Sequence, residues 1–161
     1  MSFDAIRSAI VTRLGSIPEI GRVHDRERLF PNEQGLRLVY GWPVGGGQQE
    51  VRGWFVSLTR WSGSVGRIGR GRRITCEWRI CGFRSFVDEA SSEIAMAQMV
   101  AQIATAFDAD PTLGGAALRC AVGDGPDALA GIQCEEIAPV QLAGRVLCHR
   151  ALLSLPTQHF E

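Results

Sequence analysis

Apolar residues at the start of the chain recur every three or four positions, the pattern of one face of a helix. They are Phe3, Ile6, Ile10 and Leu14. Ser2 stands where an N-cap belongs, and Gly15 followed by Pro18 ends the pattern. We therefore predict an amphipathic helix over this segment.

A second helical pattern runs from about Asp88 to Phe107. Asp88 is the predicted N-cap, and Glu89 and Glu93 would lie near the positive end of the helix dipole. The predicted buried stripe follows helical spacing and consists of Ile94, Ala97, Val100, Ala101, Ala104 and Phe107. The sequence DADPTLGG then ends this helix.

Alternation of residues between two faces predicts two long strands, VRGWFVSLTRW and RRITCEWRICGF. The apolar positions are Trp54, Val56 and Leu58 in the first segment and Ile74, Cys76, Trp78 and Ile80 in the second. Alternation indicates that one face of each strand is buried and the other is solvated. This arrangement favours an antiparallel sheet.

The remaining segments are shorter. Residues 36–44, LRLVYGWPV, are apolar but contain Gly41 and Pro43, and we predict a short strand or turn rather than a helix. Three alternating segments close the chain, AALRCAV, GIQCEEIAPV and GRVLCHRALLSL. The last of them places Leu147, Ala151, Leu153 and Leu155 on one side.

These elements predict one α+β domain over residues 1–161. Its antiparallel (mixed) sheet would carry two α-helices packed on one face and a long Gly/Arg-rich β-hairpin. A chain of 161 residues has the usual size of a single domain.

The two long strands flank SVGRIGRGRR, residues 64–73, in which three glycines alternate with four arginines. A phosphate-binding loop would lead into a helix and would carry a Lys followed by Ser or Thr, neither of which is present. We favour contact of the arginines with a protein neighbour; proximity to DNA phosphates and no specific role are the alternatives. The arginines concerned are Arg67, Arg70, Arg72 and Arg73.

The formal net charge is zero, and all 17 cationic side chains are arginines. A neutral chain is unlike a protein that coats DNA, so any attraction for phosphate would be local. No apolar run approaches the length of a membrane span, and the first residues do not resemble a secretory signal. We therefore predict no membrane partner.

The five cysteines are scattered and are predicted to be small buried side chains. Cys76 and Cys81 lie five positions apart on one strand, so their side chains point to opposite faces and cannot share a zinc ion. Cys148, His149 and Glu135 could form a catalytic trio, but we favour a strand-face histidine bonded to the backbone. No catalytic, cofactor or metal site is predicted.

Three tryptophans are candidates for a subunit interface, where Trp and Arg are enriched. They are Trp42, Trp54 and Trp61. The alternative is a large aromatic core.

The elements follow one another as an N-terminal helix with IPEIGRVHDRERLF, the strand RGWFVSLTRW, the glycine-rich hairpin, the strand RITCEWRICGF, the helix DEASSEIAMAQMVAQIATAF, LGG and the strand RVLCHRALLSL. This order resembles the tail-terminator and related neck or minor tail proteins of long-tailed phages. The resemblance covers nearly the whole chain.

The resemblance implies a structural role without cofactor or catalysis. Such subunits form a ring, expected to be a hexamer, that caps the tail tube and joins it to the head. The implied partners are further copies of the chain, the tail tube protein, connector or neck proteins and passing DNA. The implied place is the virion, assembled in the host cytoplasm.

Matched onto this chain, the assembly loop of such proteins falls on residues 62–73. Related roles stay open, namely a tail completion, head-tail connector or tube protein of the same particle. A nucleic-acid-binding module that uses the arginine-rich loop is the other alternative.

Overall fold

The computed structural model describes residues 2–65, 71–123 and 128–161. Within these ranges the chain forms three α-helices and eight strands. The helices are α1 (Phe3–Gly15), α2 (Glu33–Tyr40) and α3 (Ser92–Asp108). The strands are β1 (Arg22–His24), β2 (Gly41–Gly45), β3 (Gln48–Val65), β4 (Arg72–Ser85), β5 (Ala121–Val122), β6 (Leu129–Ala130), β7 (Gln133–Leu142) and β8 (Val146–Phe160).

A six-stranded sheet organises the fold. Its strand order is β1-β3-β4-β8-β7, and β2 pairs with the first residues of β3. Every pair in this sheet is antiparallel except β1 with β3, which is parallel. Strands β5 and β6 form a separate small pair. This mixed sheet with its helices confirms the predicted α+β class.

The main core lies between one face of the sheet and the helices α1 and α3. Ile6, Ile10 and Leu14 of α1 are fully buried, as their spacing predicts. The Ser2 hydroxyl accepts a hydrogen bond of 3.2 Å from the Ala5 backbone N–H, which confirms the N-cap. Two helices on one face of the sheet are therefore observed as predicted.

A second core lies on the other face of the sheet and includes residues of a helix that was not predicted from sequence. Residues 33–40 form α2, capped by Asn32, whose side chain accepts from the Gly35 N–H at 2.8 Å. Leu36 and Tyr40 of α2 pack against this face. The prediction of a strand or turn over residues 36–44 is thus wrong up to Tyr40 and right for β2.

Helix α3 begins later and presents a different stripe than predicted. Asp88 starts a short 3-10 turn, and Ser91, at φ 50°, precedes the α-helix. Val100 and Phe107 are buried as predicted, but Ile94 is 60% exposed, and Ala97 and Ala101 are also exposed. The buried positions are Ser92, Met96, Met99, Val100, Ile103 and Phe107. Long methionine side chains reach the core where alanines would leave it unfilled.

The C-terminal part agrees with prediction in two of its three segments. Strands β7 and β8 lie where alternation places them, with Ala151, Leu153 and Leu155 fully buried, whereas Leu147 is about half exposed. Of AALRCAV only residues 121–122 form a strand. Residues 118 and 119 instead bond to β8 through Gln158. None of the helices in the described ranges is long and apolar enough to cross a membrane.

Candidate assembly interface

Strands β3 and β4 pair along almost their whole length, from Arg52 with Arg84 to Val65 with Arg72. The predicted hairpin pairing is therefore confirmed, and of the described residues in the range 62–73 all except Gly71 belong to a strand. Arg72 and Arg73 belong to β4. Arg67 and Arg70 lie outside the described residues.

A β-bulge at Thr59 interrupts the pairing of β3 with β4. Leu58 pairs with Trp78 and Arg60 with Glu77, so Thr59 has no opposite residue. Since one extra residue reverses the alternation, Trp61 turns to the face on which Trp54 lies. The bulge thus brings Trp61 to the helix side of the sheet.

Trp61 is half exposed and is held from one side. Its ring lies 5.9 Å from the ring of Phe3 at the start of α1, and the Arg72 guanidinium is 5.6 Å from its centroid. The side chain of Val65, on the same face, is 97% exposed. An aromatic and an aliphatic side chain therefore stand in solvent at the far end of β3.

The outer edge of β3 is open over residues 57–65, which we name the β3 edge. Strand β1 reaches only to Phe55 and β2 only to Val51, and no other described strand pairs with this side. An unpaired strand edge presents backbone donors and acceptors to which another strand can bind. The exposed side chains of Trp61 and Val65 adjoin this edge.

The other two tryptophans differ in exposure. Trp54 is 1% exposed and belongs to the main core, so it does not reach a neighbouring subunit. Trp42 in β2 is half-buried. Of the three candidates, Trp61 is the one that adjoins the open edge.

Arg72 and Arg73 are tied into the sheet beside the C-terminus. The backbone of Arg72 exchanges two hydrogen bonds with Glu161, of 3.1 and 2.9 Å. The guanidinium of Arg73 lies 5.8 Å from the Phe160 ring centroid. The Arg72 backbone and the Arg73 guanidinium are therefore engaged on the side of β4 that faces β8, away from the β3 edge.

The cysteines and histidines considered for chemistry do not come together. Cys76 lies in the main core and Cys81 in the second core, on opposite faces as predicted. Among the described residues no group of three or more His, Cys, Asp or Glu side chains could hold a metal ion. Burial raises the pKa of Cys81 to about 12, so its thiol stays protonated.

The trio Cys148, His149 and Glu135 is not assembled. Cys148 belongs to the second core, and burial raises the pKa of its thiol to about 12. His149 faces the other side of the sheet, where its Nε2 lies 2.8 Å from the Ser92 Oγ and its ring stacks on Phe86. His149 therefore bonds to a serine hydroxyl and not, as predicted, to a backbone group. This contact could not be predicted from sequence, because residues 92 and 149 lie far apart in the chain.

A groove of about 640 Å³ beside α2 is lined by three arginines, each of which already has a partner. Arg37 and Arg145 both bind Glu33, and the Arg22 Nε donates to the Gly41 carbonyl at 3.2 Å. These hydrogen bonds hold the pKa of the Glu33 carboxyl below its usual value. Each of the three arginines therefore has a hydrogen-bond partner within the chain.

Comparison with known proteins finds no family model that matches the chain and no similar curated protein. Since no relative indicates a function, the evidence for one comes from the fold itself, above all from the open β3 edge with Trp61 and Val65.

Proposed function

We propose that this protein is a structural subunit of a phage-like tail, a tail terminator that forms a closed ring on the end of the tail tube. The observation that carries the proposal is the β3 edge, nine residues of strand that no described strand pairs with on one side and that have exposed apolar side chains beside them. The order of elements, which resembles that of tail-terminator proteins, gives the particle in which such a ring would act.

The composition of the β3 edge supports a role in protein association. Natural sheets protect long edges with charges, prolines or short strands. Residues 57–65 contain one charged residue, Arg60, and no proline. An edge of this kind would be a hazard in a monomer and is suited to a strand from a neighbouring subunit.

The partners in this proposal are other copies of the chain, the tail tube protein and the connector or neck proteins, and the place is the tail or neck of the virion. The role needs no cofactor and no catalysis. A completion, connector or tube protein of the same particle would use the same edge for the same purpose.

The alternative of a nucleic-acid-binding module draws less support from the described arginines. Arg72 and Arg73 lie against the rings of Trp61 and Phe160, so part of each guanidinium surface is occupied. Nucleic-acid binding would appear as an affinity that falls steeply with salt concentration.

The test is electron microscopy of tail tubes incubated with the purified protein. The proposal predicts a ring at one end of each tube for the wild type and its loss in the double variant W61R/V65R. The matched control is L38R, because Leu38 is 79% exposed on α2, away from the β3 edge. Wild-type protein that never associates with tubes would overturn the proposal.

A further inference from the structure

We propose that the β3 edge of one copy pairs with the outer edge of β7 in a second copy, head to tail, so that the sheet continues from subunit to subunit. The outer edge of β7, residues 133–142, is named the β7 edge. The inference rests on the proposed function, because it identifies the contact through which the ring would close.

Both edges are open within one copy. Strand β7 pairs with β8 on one side, and no strand in the described part of the chain pairs with its other side. The β3 edge and the β7 edge therefore lie on opposite borders of the sheet. A contact between unlike surfaces of identical subunits leads to rings or filaments.

Strand directions suit this contact. Strands β3 and β4, β4 and β8, and β8 and β7 are antiparallel in turn, so β3 and β7 run in opposite directions. When two copies stand side by side with their sheets in the same orientation, the β3 edge of one meets the β7 edge of the other in the antiparallel sense.

Charge separates the two borders of the sheet. The β3 edge carries one arginine, Arg60, and no acid, whereas the β7 edge carries two glutamates, Glu135 and Glu136, and no basic residue. Pairing of two β3 edges would set two basic segments side by side, and pairing of two β7 edges would do the same with acids. Only the head-to-tail contact brings opposite charges together, and charge complementarity of this kind selects partner and register.

Two charged side chains on these edges are available for the contact. Arg60 on β3 and Glu135 on β7 have no ion pair among the described residues, whereas Glu136 is bound to Arg150 at 2.6 Å. Glu135 also lies at a bulge in β7 and has no opposite residue on β8. These two residues are therefore the natural choice for a charge swap.

Pro139, Glu135 and Glu136 are features that protect an edge strand from pairing with a second copy of itself. Proline has no backbone N–H and within sheets is confined to edge strands and bulges. Two β7 edges paired with each other would oppose their prolines and their glutamates. The β3 edge, which has no proline, supplies a full set of donors and acceptors.

The contact implies that neighbouring copies are shifted along the strands. Glu136 of β7 stands level with Cys81 of β4 through Leu152, whereas Arg60 pairs with Glu77. Bringing Arg60 opposite Glu135, the neighbour of Glu136, thus requires a shift of about four residues of β4, or roughly 13 Å. Closed sheets need such a stagger, because their strands tilt relative to the axis.

Cysteine cross-linking tests the contact with a native thiol. Cys134 on β7 is exposed, and the other four cysteines are buried. Three variants, S57C, S62C and S64C, each add one thiol to the β3 edge. A short bismaleimide is applied to each full-length variant, both alone and bound to tail tubes.

The inference predicts a ladder of dimers, trimers and larger species in at least one variant, since each copy would carry both thiols. The ladder must disappear when C134S is added to the same variant. Dimers that persist with C134S would show that two β3 edges pair with each other and would overturn the inference. The absence of cross-links in all three variants, alone and on tubes, would also overturn it.

A charge swap gives an independent measurement by sedimentation. We expect R60E and E135R each to weaken association about tenfold and the double variant R60E/E135R to recover most of the loss. If the loss of association free energy in the double variant equalled the sum of the losses in the two single variants, the result would contradict the pairing of these edges.

The two proposals can fail separately. Rings on tubes without a Cys134-dependent ladder would leave the proposed function standing and remove this contact. A ladder in a protein that never binds tubes would leave the contact standing and remove the function.

Discussion

Trp54 lies directly over Gly82 in the middle of the sheet, and the two residues are partners on neighbouring strands. A Cβ atom on residue 82 would overlap the indole ring of Trp54. Glycine at this position therefore makes room for a tryptophan that is almost fully buried in the main core. The packing of this pair depends on the absence of a side chain.

We predict that G82A destabilises the protein by about 1–3 kcal/mol, the usual result of forcing an extra methyl group into a packed core. The control is G15A, because a Cβ at the end of α1 meets no atom within 4 Å. G15A should be neutral or slightly stabilising, since alanine favours helix more than glycine does. Urea unfolding of both variants measures the difference, and equal stability of the two would contradict this packing.

His149 makes stability depend on pH. Burial lowers the pKa of its imidazole; among the smaller effects, the charge of Glu93 raises this pKa and the charge of Arg84 lowers it. The unfolded chain therefore binds the proton more readily than the folded chain. The contribution of neutral His149 to the free energy of unfolding is therefore fully present above the pKa of histidine in the unfolded chain, about 6.5, and is lost as the pH falls below that value. Burial lowers the pKa of His159 in the same direction.

We predict that the free energy of unfolding falls between about pH 7.5 and about pH 5.5, and that H149Q reduces this fall because glutamine takes up no proton. Glutamine can still hydrogen-bond to the Ser92 hydroxyl. The control H24Q removes a half-buried imidazole that bonds to the Val39 carbonyl. If H149Q and the wild type lost the same stability on acidification, His149 would not be the source.

At the scale of elements, helix α2 gives the sheet its second core. Leu36 and Tyr40 cover Val51, Phe55 and Phe83 on the face opposite α1 and α3. Leu38, two positions from Leu36, points to solvent. The short helix therefore buries one narrow side.

The pair L36A and L38A tests this orientation of α2. Leu36 is fully buried, so its truncation should cost about 2–5 kcal/mol. L38A should change stability by less than about 0.5 kcal/mol, as surface substitutions usually do. Thermal and urea unfolding measure the stability of both variants. A loss of stability in L38A as large as that in L36A would contradict the observed orientation, in which Leu36 is buried and Leu38 is exposed.

Sequence periodicity predicted the long strands, the first helix and the fold class, because their patterns run unbroken over many residues. It failed at α2, because Gly41 caps the end of the helix and Pro43 lies in β2, so neither residue interrupts the helical part of the segment. It also failed for the stripe of α3, because alanines at helical spacing fit a buried face and an exposed face equally well. Met96 and Met99 carried the better signal.

The candidate interface was predicted only in part. The hairpin and Trp61 were recognised from sequence, but the bulge at Thr59 was not, and it decides on which face Trp61 lies. Nor does alternation reveal whether an edge is paired, since that depends on strands distant in the chain. The burial of Trp54 likewise depends on elements that are distant in the chain, so its place in the main core could not be told from an interface position.

On the scale of the whole molecule, the net charge is zero, but the two open edges of the sheet differ in charge, with Arg60 on the β3 edge and Glu135 and Glu136 on the β7 edge. The β3 edge and the β7 edge would join one another between copies. The two helix-covered faces stay closed in such an arrangement. Each subunit would therefore have a complete core, and the two open edges of its sheet would be paired only with neighbouring copies.

Cryo-electron microscopy of the protein bound to tail tubes tests the central claim most directly. We expect a closed ring at the end of the tube in which density for residues 57–65 of each subunit runs beside a strand of its neighbour. Subunits that are absent from the tube, or bound with the β3 edge facing solvent, would contradict the account.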